Sequence, residues 1–259
     1  VLLLILTVLS VTCLLPPLGS VLLWQRYNYL NDGLIHACIF SNVVSYFCGT
    51  DQIASMMIVA VIFSSMVFLL RHYSDKNAVV SLTSSALLSS AIIFSSYFQE
   101  RTIFETMMFG DIFSIEWDTL YIIIALIVLM VVFLTVFLNS IVIISLDKNI
   151  AHSKKLLLGT IEYITLIMMA LIIAVTIKLL GAFLIGSLLI IPAMAGRLIS
   201  VSPLAMIVRS SIIGMISGIS GVAVSFFLDW PLSPSVSVSA IVIYVVLLLL
   251  VGSSVKKSN

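Results

Sequence analysis

Asp32 and His36 stand one helical turn apart in the segment Asn31-Asp32-Gly33-Leu34-Ile35-His36-Ala37. On a helix, positions i and i+4 share a face, so the carboxylate and the imidazole point the same way. An oxygen beside an imidazole nitrogen is a ligand set for a borderline divalent cation such as Zn2+ or Mn2+. Ionisable groups among apolar residues at membrane depth are rare and mark paths for ions or protons. A plainer reading exists for the same residues: Asp is a good helix N-cap, with a hydrogen-bonded His one turn further in. The spacing alone leaves both open.

Other titratable groups are placed less suggestively. His72 and His152 lie among basic residues, as solvated loop groups do. Glu162 falls a turn or two inside an apolar run, where it can snorkel or pair with a loop lysine, and Lys178 near the far end of that run can snorkel too. Phe109-Gly110-Asp111 reads as a turn, with Gly supplying the unusual backbone angles. The eleven methionines are scattered, and Met107-Met108 and Met168-Met169 read as packing groups. Cys13, Cys38 and Cys48 all lie in apolar runs, and an odd, scattered set is no disulfide framework. The chain contains no Gly-x-x-x-x-Gly-Lys-[Ser/Thr] phosphate loop and no His-Glu-x-x-His zinc helix. A Gly-x-Ser-x-Gly nucleophile elbow is missing as well. With no nucleophile and no acid–base pair in view, an enzyme is not expected.

The elements that must hold these groups follow from composition. Of 259 residues, 62% are hydrophobic and 9% are charged, against roughly a quarter charged in an average soluble domain. The mean hydropathy is +1.30. Twelve Lys/Arg and eleven Asp/Glu cannot skin a soluble fold of this size, and a net charge of +1 gives no nucleic acid a footing. A hydrocarbon layer ~30 Å thick asks about 20 apolar residues of each helical span. Nine apolar runs follow one another: 1–24, 33–48, 53–70, 78–98, 119–146, 156–180, 181–195, 204–228 and 234–251. The runs 33–48 and 181–195 are short, which predicts tilted, broken or re-entrant segments. The expectation is an all-α, polytopic integral membrane protein with eight or nine crossings, forming one membrane domain over 1–259. The first run lacks a basic leader and reads as a true span rather than a signal peptide. Serines at 81–96 and 210–225 lie inside runs and read as packing positions that let helices approach.

The basic residues set an orientation. With the N-terminus outside, Arg26, Arg71, His72, Lys76, Lys148, Lys154, Lys155, Arg197, Arg209, Lys256 and Lys257 fall on one side. The other side holds Asp51, Glu100, Glu105, Asp111, Glu116, Asp118 and Asp229, with Arg101 and Lys178 as its basic residues. Such asymmetry places the first side in the cytoplasm. Trp24, Trp117 and Trp230 sit at run ends, as interfacial rings do. On the basic side the longest polar segment, 145–155, is short and amphipathic enough to lie along the interface as a helix, or to be an ordinary loop.

Several stretches, in order along the chain, resemble one family. Pro17-Leu18-Gly19-Ser20 through Trp24-Gln25-Arg26, followed by Asp32-Gly33-Leu34-Ile35-His36-Ala37, is similar to the opening of the zinc/manganese ABC transporter permeases. Phe109-Gly110-Asp111-Ile112 resembles their Phe-Gly-Asp-(Ile/Leu), and the block from Lys178 through Pro192-Ala193 resembles their most distinctive stretch. Pro231-Leu232-Ser233-Pro234-Ser235 resembles their terminal Pro-x-Gly-Pro-Ser. Trp24 and the His36-Ala37 pair lean toward the zinc branch. Three positions depart: Asn31 precedes the Asp where Gly is usual, Ser233 replaces the terminal Gly, and Lys155 replaces a Gly four residues after Ala151.

The resemblance implies a homodimeric permease of the inner membrane, in lipid, with a cytoplasmic ATPase that hydrolyses ATP and an extracytoplasmic metal-binding protein. It implies that Asp32 and His36 contact the metal. It also implies that the segment holding Asp147, Ala151 and Lys155 receives the ATPase. The transported ion, Zn2+ or Mn2+, is cargo, and no resident cofactor is implied. A secondary cation transporter is the rival, and it predicts more carboxylates within the spans and discontinuous helices in matching halves.

Overall fold

A computed structural model of the chain describes residues 2–98, 117–146 and 158–256. The regular elements among the described residues are all helices. They are α1 (Leu2–Gln25), α2 (Leu30–Ile39), α3 (Ser41–Cys48), α4 (Gln52–Leu70), α5 (Lys76–Phe98), α6 (Trp117–Leu146), α7 (Leu158–Leu180), α8 (Ala182–Ile199), α9 (Pro203–Leu228) and α10 (Leu232–Lys256). Helices that are apolar on every side belong in a core or in lipid. Seven of these, α1, α4, α5, α6, α7, α9 and α10, are long and apolar enough to cross a membrane. The two short runs supply the rest. Run 181–195 becomes α8, a shorter apolar helix. Run 33–48 is broken at Phe40 into α2, of ten residues, and α3, of eight. At 1.5 Å per residue α2 spans only about 15 Å, half a crossing. The seven spans and these shorter helices together account for the nine apolar runs.

The chain divides into two compact units. One gathers α1 as far as Leu23, the first part of α6, and α8 to α10; the other holds α2 to α5, the rest of α6, and α7.

In the first unit α1 is the most buried span, with 72% of its apolar window buried against 17% for α10. Close approach explains why small residues line its contacts. A Cβ on Gly19 would collide with the carbonyl oxygen of Leu189 in α8, and one on Gly214 in α9 would stand 2.5 Å from the Pro16 ring of α1. Hydroxyl pairs stitch the same unit, Ser20 to Ser210 at 3.2 Å and Ser187 to Ser237 at 2.7 Å. Most buried hydroxyls bond back to their own helix, as Thr7 does to the Leu3 carbonyl and Ser217 to that of Ile213. Their polarity is thus absorbed inside the helix, which fits packing positions.

In the second unit α7 is the most buried span, with 67% of its window buried. Its neighbour α4 donates from Ser64 Oγ to the Leu166 carbonyl at 3.4 Å and pairs Ser65 with the Tyr163 hydroxyl at 2.9 Å. The Phe68 and Tyr163 rings meet with centroids 4.7 Å apart. Elsewhere large apolar side chains face outward, among them Val128, Ile219 and Leu249, as lipid-facing surfaces require. Cys13, Cys38 and Cys48 are all free thiols.

Candidate functional site

α2 presents the acid–imidazole pair. The residue before it, Tyr29, makes no side-chain cap bond, and the helix begins at Leu30. Asp32 is therefore the third helical residue and does not cap the helix. A carboxylate there still gains from the positive end of the helix dipole. Leu30, Asn31, Gly33, Leu34, Ala37 and Cys38 are buried in the unit, while Asp32 and His36 are exposed in the single chain. The pair thus shares the outward face, as the spacing predicts, and His36 is no packed core residue.

Gly33, between the two, sets how close α2 comes to its neighbours. A Cβ there would lie 2.6 Å from Val80 Cγ1 of α5 and 3.2 Å from Phe63 Cζ of α4. The outward face is held in place by this seat. Asn31 adds a polar support, donating from Nδ2 to Asp32 Oδ1 at 3.4 Å. Its own carbonyl oxygen is buried and makes no hydrogen bond. Among the described residues no group of three or more His, Cys, Asp and Glu is close enough to hold a metal.

A second polar centre lies at the basic end of the same unit. Glu162, buried near the start of α7, accepts from Lys76 Nζ at 2.7 Å and from Tyr27 Oη at 3.0 Å. Its other oxygen lies 3.5 Å from Arg71 Nη1. Lys76 also donates to the Gln25 carbonyl at 3.3 Å and sits 4.2 Å from the Tyr27 ring centroid. Arg71 stacks on Phe68 at 3.6 Å. Tyr27 is seated by Arg26, which takes the left-handed conformation at φ 61° directly after α1. Glycine is the usual occupant of such a position. Burial first, and then the Glu162 carboxylate, raises the Tyr27 phenol above its ordinary range, so it stays a proton donor. The sequence offers Glu162 a loop lysine, and Lys76 is that lysine. Tyr27 and Gln25 carry no sequence signal of their own. The coupling-segment residues Asp147, Ala151 and Lys155 lie outside the described residues, as do His152 and Phe109-Gly110-Asp111.

Seven helices long and apolar enough to cross a membrane, among the described residues, define a polytopic membrane protein. Residues 2–251 match the ABC 3 transport family, and the chain belongs to that family. It is 26% identical over 93% of its length to the high-affinity zinc uptake system membrane protein ZnuB of Haemophilus influenzae, 94% of which is covered. It is 21% identical over 88% of its length to the manganese import system permease protein ScaB of Streptococcus gordonii, with 83% of that protein covered. Among solved structures, a chain of PsaBC from Streptococcus pneumoniae in complex with Fab superposes with a TM-score of 0.81. That match covers 95% of this chain and 89% of the other at 18% identity, and so speaks for the fold.

Proposed function

We propose that the chain is the permease subunit of a binding-protein-dependent ABC importer for Zn2+ in the inner membrane, acting over 1–259 as one transmembrane domain. The observation that carries this is the family match over residues 2–251, joined to the outward-facing Asp32 and His36 on a helix too short to cross. Relatives named for zinc uptake support zinc. Relatives named for manganese import make Mn2+ the second reading.

Two ligands are too few for a tetrahedral zinc site. A two-fold homodimer with the pairs facing its axis supplies two carboxylates and two imidazoles, and symmetric oligomers commonly join through such self-complementary patches. The two carboxylates offset the charge of the divalent ion, whose bare passage at membrane depth is prohibitive. For transport the site must form in one conformation and break in the other. The chain contributes no covalent chemistry. A cytoplasmic ATPase hydrolyses ATP and docks on the segment holding Asp147, Ala151 and Lys155, while an extracytoplasmic binding protein delivers the metal.

The test is reconstitution with that ATPase and binding protein in liposomes, followed by competing Zn2+ and Mn2+ uptake. ATP-dependent zinc accumulation that excess Mn2+ leaves largely intact is expected. Uptake of manganese in preference to zinc moves the assignment to Mn2+, and uptake that needs an ion gradient but no ATP overturns the importer.

A further inference from the structure

Glu162 ties together parts of the chain that are remote in sequence. Its carboxylate holds Lys76 at the start of α5, Arg71 at the end of α4, and Tyr27 in the turn between α1 and α2. Through Lys76 it also reaches the last carbonyl of α1, that of Gln25. Removing the carboxylate would leave two cations side by side without their shared counter-charge. Its neighbours in sequence matter as much. Glu162 lies just inside α7, which begins at Leu158, and Tyr27 lies just ahead of α2, which carries Asp32 and His36.

The cluster also has room to rearrange. Glu162 borders a cavity of about 520 Å³ whose lining includes Gln25, Lys76, Asn77 and, at the far end of α6, Ser145. Both polar atoms of the Gln25 amide are buried without a hydrogen-bond partner, and so is Asn77 Oδ1. Buried amides are nearly always bonded. Three polar atoms without a partner in the chain border one polar cavity, which leaves Lys76 or its neighbours room to turn to Gln25 and Asn77.

We propose that Glu162 is a positioning residue for transport: a two-position clasp that joins the start of α7 to the Tyr27 turn and so to the metal pair on α2. The inference rests on α2 carrying the ligands of the cargo. Coupling between distant sites needs an element with two discrete arrangements that both sites bias. The clasp supplies one across a short path: α7 through Glu162 to Tyr27, and Tyr27 to α2.

The test uses the full complex with its ATPase in proteoliposomes, given zinc-loaded binding protein, and reads zinc imported per ATP hydrolysed. Glu162→Gln should assemble and hydrolyse ATP at its basal rate, while zinc per ATP falls about tenfold and binding protein no longer stimulates hydrolysis. Tyr27→Phe, which deletes one hydrogen bond and keeps the ring under Lys76, should lower the same ratio by roughly threefold. If Glu162→Gln does not assemble, Tyr27→Phe decides by that ratio. A native ratio in both variants overturns the proposal. So does a parallel fall of hydrolysis and uptake at unchanged ratio, which reports damaged folding. Asp32→Ala in the same assay separates the two readings. Lost uptake there with a native ratio in Glu162→Gln removes the clasp alone. Retained uptake there with a lost ratio in Glu162→Gln removes the metal pair and leaves a coupling joint.

Discussion

At the scale of single residues, Asp32 and His36 are the proposed metal ligands. Asp32 and His36 share a face that the rest of α2 leaves free, and their nearest polar support is the Asn31 amide on Asp32 Oδ1. Outer-shell groups behind a metal ligand are typically worth about 10–100-fold in metal affinity or activity, so losing a ligand itself should cost uptake at least about tenfold. Asp32→Ala and His36→Ala are expected to meet that figure while still assembling with the ATPase, as measured by zinc uptake and co-purification. Normal transport by both variants would return Asp32 and His36 to ordinary surface residues. The pair was legible because a four-residue spacing fixes a common face whatever surrounds the helix. The Glu162 cluster was only half legible. A carboxylate inside an apolar run announces that it needs a partner, but its phenol donor is 135 positions away. No local periodicity reports a contact of that separation.

At the scale of the element, α2 is held by how little Gly33 occupies. Gly33→Ala places a Cβ 2.6 Å from Val80 Cγ1, and overpacking of this kind usually costs about 1–3 kcal/mol. We expect Gly33→Ala to lower the melting temperature of the detergent-solubilised protein and to reduce uptake. Val80→Ala in the same chain removes the colliding methyl and should recover much of both; failure to recover either would mean that α2 is not seated through this contact. Run 33–48 was legible as too short to cross. Its fracture at Phe40 was not, because no Pro or Gly marks that position and the Phe40 backbone itself remains right-handed helical (φ −67°, ψ −16°). The start of the helix at Leu30, ahead of the apolar run, was hidden for a related reason: Asn31 and Asp32 look like loop residues, and tertiary packing overrides that preference.

At the scale of the whole molecule, the asymmetry of basic residues gives an orientation that labelling can check. With Cys13, Cys38 and Cys48 replaced, a single cysteine at position 74 should react only from the cytoplasmic face and one at position 105 only from outside. Reversed labelling would invert the whole scheme. The helical class and the nine apolar runs were legible because lipid imposes one rule on every span, and the family because its motifs recur in order along the chain. The partition of the chain into two compact units was not, since it depends on which helices touch and not on how apolar each one is.

One feature of α2 reaches beyond a single molecule. If the chain carries two of four ligands, as proposed, it is half of a site; the working unit is then a pair of chains and defects mix by the rules of pairing. When native and Asp32→Ala chains are co-expressed in equal amounts and pair at random, about a quarter of the dimers receive two intact halves. Uptake in such cells should drop toward that quarter, rather than toward the half expected if each chain worked alone. A loss-of-ligand allele would then be dominant over the native one, and titrating the ratio of the two chains gives a squared dependence on the native fraction that counts the chains in the transport path without any structure of the dimer.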